Sequence, residues 1–105
     1  LLRPTYVPLE VQQDVARLAG RTYENMDDLG LRHAGVFEPA AEQGPNPHAF
    51  NLTSAVYHTC GAPTFTFECP HGIQGDEFAY EVSPEQILDI QLTLYRSMLE
   101  HVLEA

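Results

Sequence analysis

Only one run in this chain reads as a β-strand, and a proline stands beside each of its ends. Residues 64–69, Thr64-Phe65-Thr66-Phe67-Glu68-Cys69, alternate polar and apolar side chains between Pro63 and Pro70. Such alternation puts Phe65, Phe67 and Cys69 on one face and Thr64, Thr66 and Glu68 on the other. A lone strand leaves its backbone donors and acceptors unpaired, so it makes no sheet by itself. Either a larger sheet completes it, or helices hold the chain together.

The flanking segments carry helical signals. Pro8 suits the first turn of a helix, and Val11, Val15, Leu18, Met26 and Leu29 recur near the helical period, with Ala19 and Tyr23 in the same stripe. This predicts a helix over 9–29, with Gly20 as a weak point and Gly30 as a left-handed cap. Residues 35–48 hold Pro39, Pro45 and Pro47 and keep no periodicity, which predicts a loop. Residues 51–61 begin with Asn51 or Thr53 as a cap and end at Gly61, which predicts a short helix; a strand is its rival through Val56 and Tyr57. Residues 70–82 are a second irregular stretch. The clearest helix start is Ser83-Pro84-Glu85-Gln86, where a serine cap, a proline at the first helical position and a glutamine three residues after the cap agree. Ile87, Ile90, Leu94, Met98 and Val102 then form an apolar stripe, widened by Leu88, Leu92, Tyr95 and Leu99, down to Leu103.

The 105 residues make one domain at most, and 44% hydrophobic with 19% charged residues is an ordinary globular composition. No apolar run approaches the roughly 20 residues of a membrane span, so no membrane partner is expected. Fifteen acidic residues stand against five arginines, for a net charge of −10, and that surface would repel a nucleic-acid backbone. The opening Leu1-Leu2-Arg3-Pro4 carries neither a leader nor an initiator Met, as expected of a processed or partial chain. The glycosylation motif Asn51-Leu52-Thr53 is too common to indicate secretion. Cys60 and Cys69 are too few for a disulfide scaffold, although they could pair.

Glu68 is the first candidate for chemistry, because active sites of α/β sheets gather beyond the carboxyl ends of strands and a partly desolvated carboxylate there suits a general base. Its alternative is a strand-end glutamate in water. A metal site from His48, His58, Cys60, Cys69 and His71 has acceptable ligand types, but the spacings match no zinc finger and no His-Glu-x-x-His pair occurs. No recognisable elbow surrounds Cys60, which argues against a nucleophile paired with His58 or His71.

The run Ser54-Ala55-Val56-Tyr57-His58-Thr59-Cys60-Gly61 followed by Thr64-Phe65-Thr66-Phe67-Glu68 resembles the closing half of the zinc carboxypeptidases, relatives of carboxypeptidases A and B. The proline-initiated last helix is similar too, and Leu1-Leu2-Arg3-Pro4 looks like the stretch after that family's third zinc ligand. The resemblance implies an α/β fold, with residues 1–105 as the C-terminal segment of one mixed-sheet α/β/α catalytic domain and 64–69 as an interior strand. It implies a zinc-dependent hydrolase of peptide or related amide bonds, with Glu68 as general base. The zinc ligands would lie in the N-terminal half of the domain, upstream of Leu1, so no ligand is expected here and the segment alone should be inactive. His71 is a second candidate, for substrate contact. Gly61-Ala62-Pro63 stands where digestive members have a long loop with a substrate-covering tyrosine, so their specificity rules do not transfer, and Tyr57 does not take that role. The competing reading is a non-catalytic acidic protein-interaction module built of helices.

Overall fold

The computed structural model describes residues 1, 4, 7–33, 35, 52–70, 72–74, 77–78 and 81–104. Its elements, in chain order, are α1 (Leu9–Asp28), α2 (Leu52–Cys60), β1 (Ile73–Gln74), β2 (Glu77–Phe78) and α3 (Pro84–Leu103). All three helices predicted from the sequence are present. The loop predicted over 35–48 lies outside the described residues, Gly35 excepted.

Helix α1 begins at Leu9, as the sequence predicts, with Pro8 just ahead of it. The Pro8 carbonyl accepts from the amides of Val11 (3.0 Å) and Gln12 (3.2 Å), so Pro8 caps the helix instead of entering it. At the other end Gly30 is left-handed at φ 67°. There the Leu31 amide bonds the Met26 carbonyl at 2.8 Å and the Gly30 amide bonds that of Asp27 at 3.0 Å, the paired pattern of a Schellman cap. Helix α2 stops in a related way, with Gly61 at φ 76° and its amide 2.7 Å from the Tyr57 carbonyl. At the start of α3 the Ser83 side chain accepts from the Gln86 amide while the Gln86 side chain accepts from the Ser83 amide, a complete capping box.

The chain divides into two compact units. The first joins Leu1–Gly20 to Val36–Glu68, the second Arg21–Gly35 to Cys69–Ala105, and α1 runs through both. In the first, Val7, Val11, Val15, Leu18 and Ala19 are buried, and buried Gln12 donates from Nε2 to the Val7 carbonyl. In the second, the later half of α1 lies antiparallel to α3: Arg21 pairs with Glu100 and Glu104, and Asn25 Nδ2 donates to Ser97 Oγ at 3.0 Å. Tyr23 and Met26 are buried there on α1, as are Ile90, Thr93, Leu94 and Ser97 on α3. The buried hydroxyls add no unmet polarity, because Thr93 donates to the Asp89 carbonyl and Ser97 to that of Thr93.

The expected mixed-sheet α/β fold is not what forms. Among the described residues the extended pairing amounts to one two-residue hairpin, with Ile73 opposite Phe78 and Gln74 opposite Glu77, and the rest is predominantly helical. Residues 64–69 are not an interior strand: they are irregular, with an isolated bridge at Thr66. The physical reason lies in the prolines and the lack of neighbours. Pro63 and Pro70 bring no amide to a ladder, and among the described residues no second long strand offers a partner. The burial alternation survives from Phe65 to Cys69, since Phe65, Phe67 and Cys69 are half-buried while Thr66 and Glu68 are exposed, although Thr64 is half-buried as well. The hairpin falls inside the stretch read as irregular, where Gly75-Asp76 between the paired residues is itself a hairpin signal. Helix α3 accordingly packs on a helix and not on a sheet. Its predicted stripe is buried at Ile90 and Leu94 but open at Val102.

Candidate functional site

Glu68 closes the first unit, and its side chain is exposed. The partial desolvation expected at a strand end is missing because no sheet is there to cover it. It lies within electrostatic reach of the first residue: burial lowers the pKa of the Leu1 amino group and the Glu68 carboxylate pulls it back upward. The beginning of the chain and Glu68 are thus electrostatic neighbours within one unit. The Glu68 side chain is open to solvent.

His71, the candidate for substrate contact, lies outside the described residues. His58 and Cys60 sit exposed on the last turn of α2, with the Cys60 thiol donating to the Val56 carbonyl at 3.1 Å. Both cysteines are free thiols. Burial pushes the Cys69 thiol up, opposed by a bond with the Gln91 side chain, so it stays protonated at neutral pH and is a poor nucleophile. Among the described residues no three His, Cys, Asp or Glu side chains come together as a metal-binding group. They do not by themselves fit a zinc ion.

The second unit holds a polar cluster that sequence reading missed. A cavity of about 410 Å³ is lined by Asp27, Arg32, His33, Glu81 and Gln86, with Ile90 at its apolar side. His33 stacks on Tyr23, with ring centroids 4.4 Å apart and planes 9° from parallel. Its Nε2 lies 2.6 Å from Asp27 Oδ1, and its Nδ1 accepts from the Gly35 amide at 3.0 Å. An Nδ1 that accepts leaves the proton on Nε2, donated to Asp27. With both nitrogens engaged, the ring fastens the turn after α1 and has no free position for catalysis or metal binding. The available signal was the Asp27 to His33 spacing across the Gly30 cap.

A second shallow cavity, of about 340 Å³, lies between Leu29 and Leu31 on one side and Asp89, Leu92, Thr93 and Arg96 of α3 on the other. No helix among the described residues is long and apolar enough to cross a membrane. No family model, curated protein or solved structure matches the chain.

Proposed function

We propose that this chain is the general-base segment of a zinc-dependent, carboxypeptidase-like hydrolase of peptide or related amide bonds, with Glu68 as its proton-transfer group. One observation carries the reading: Glu68 and Leu1 are neighbours within a single unit, at the point where an upstream segment would join. The zinc ligands of this reading belong before Leu1, and a chain entering at Leu1 would arrive beside Glu68. The step assigned to this chain is confined to that carboxylate. Glu68 accepts a proton from the attacking water and returns it to the leaving nitrogen, which leaves as an amine. Zinc would supply Lewis acidity to the same reaction; its ligands are not among the described residues.

The test is the encoded sequence upstream of Leu1 together with zinc content. A His-x-x-Glu pair and a further His shortly before Leu1, with one zinc bound and hydrolysis of blocked peptides by the longer protein, is the expected result. Absence of those ligands rules the reading out.

A second reading, a non-catalytic acidic interaction module, draws on a different observation. Helix α3 exposes Leu88, Leu92, Tyr95, Leu99, Val102 and Leu103, far more apolar surface on one helix than a solvated face needs.

A further inference from the structure

The exposed apolar residues of α3 are regularly placed. Leu88, Leu92, Tyr95, Leu99 and Val102 follow at steps of four, three, four and three, the a/d spacing of a coiled-coil seam, and all are 54% to 71% exposed. They lie on the face opposite buried Ile90, Leu94 and Ser97, so the helix carries two apolar sides and one of them has no cover among the described residues. Leu29, also exposed, borders the seam across the cavity that Leu92 lines.

The charges beside the seam discriminate between occupants. Asp89 and Arg96 are equivalent positions seven residues apart on one edge, while Gln91 and Met98 occupy the other edge. A parallel pair of such helices would set Gln91 against Arg96 and Pro84 against Asp89, matching no opposite charges. An antiparallel pair in which Leu92 meets Tyr95 of a second copy sets Asp89 of each chain against Arg96 of the other, twice by symmetry. A single stripe therefore holds both halves of a self-complementary surface. Arg96 is exposed and engages Glu100 through Nε alone, which leaves its other donors for a carboxylate across the seam.

We infer that α3 is the interface of an antiparallel homodimer, formed through the seam from Leu88 to Val102 and set in register by reciprocal Asp89 and Arg96 pairs. The net charge of −10 per chain opposes self-association, so the contact is short-ranged. Screening at a Debye length of about 8 Å near physiological salt weakens that repulsion while leaving apolar burial intact. The inference is independent of the role of Glu68, because association is read without zinc or substrate.

Sedimentation equilibrium of the 105-residue chain over a wide concentration range provides the test, with helicity followed by circular dichroism. The expected result is a monomer–dimer equilibrium that Leu99→Lys weakens at least ~10-fold with helicity unchanged, as for an interface anchor. Asp89→Arg should also weaken it, and Asp89→Arg combined with Arg96→Asp should restore it. A monomer at every concentration overturns the proposal, as does a dimer indifferent to Leu99→Lys. A dimer weakened by Leu99→Lys but not restored by the charge exchange overturns the antiparallel register.

Discussion

Helices α1 and α3 each span 20 residues, yet they distribute their apolar side chains differently. In α1 the hydrophobic residues Val11, Val15, Leu18, Ala19, Tyr23 and Met26 fall on one buried stripe, and Leu9 in its first turn is the one large hydrophobic left exposed. In α3 Ile90 and Leu94 are buried while Leu88, Leu92, Tyr95, Leu99 and Val102 on the opposite side face solvent. The pattern of a helix reports how many apolar partners it needs, and the fold then reveals which of them it has found. Helix α1 has its partners. Helix α3 has one and presents a surface for another.

Truncations on the two sides of α3 give the sharpest contrast. Leu94→Ala should destabilise the chain by about 2–5 kcal/mol, since it leaves a cavity in the second unit. Leu99→Ala should change monomer stability by no more than about 0.5 kcal/mol, as an exposed substitution does. Urea unfolding at low protein concentration measures both, and equal costs would remove the distinction between the faces.

The helix ends come next. Gly30→Ala forces a side chain into the left-handed region at φ 67°, where it meets no steric neighbour, so its expected cost is the backbone penalty of roughly 1–2 kcal/mol. Ser83→Ala removes one half of the capping box of α3 and should cost about 1 kcal/mol. If the Ser83 variant proves the more damaging, the termination of α1 matters less to the fold than the initiation of α3.

The smallest expected effect concerns pH. Arg96 first, then Asn25 and Arg21, hold the Glu100 carboxyl below the usual glutamate range. A carboxyl depressed in the folded state adds stability above its unfolded pKa and loses it as pH falls through the folded value. Glu100→Gln should therefore be less stable than wild type near neutrality, with the gap closing as pH falls through and below the usual glutamate range. Glu100 is solvent-accessible, so the gap should be small, and a pH-independent gap would sever it from the ion pairs.

Where side-chain chemistry acts within a few residues, sequence reading matched the molecule. Gly30, Gly61, Ser83 and Pro84 mark helix ends because the glycines relieve a local backbone restriction and the serine satisfies local amides. The strand at 64–69 was misread because pairing is a long-range property. Its alternation persists in the half-burial of Phe65 and Phe67, but a pattern cannot supply the neighbouring backbone that makes a strand. Likewise the stripe of α3 was visible, but which of its apolar residues would be covered depended on α1. The His33 cluster escaped because Tyr23, Asp27 and His33 converge only once the Schellman cap turns the chain back. Glu68 was singled out by its position in the sequence, while its exposure and its proximity to Leu1 emerged from the fold.

The claim on which the functional account turns is that Glu68 moves the proton. Its most direct test compares initial hydrolysis rates of blocked peptides by the zinc-loaded protein extended upstream of Leu1, for wild type, Glu68→Gln and the control Glu85→Gln, at matched zinc content. Glu68→Gln should retain zinc and fold while losing ~10²–10⁴-fold in turnover, the loss typical of removing a general base, and Glu85→Gln should match wild type. Equal rates for Glu68→Gln and wild type would contradict the account.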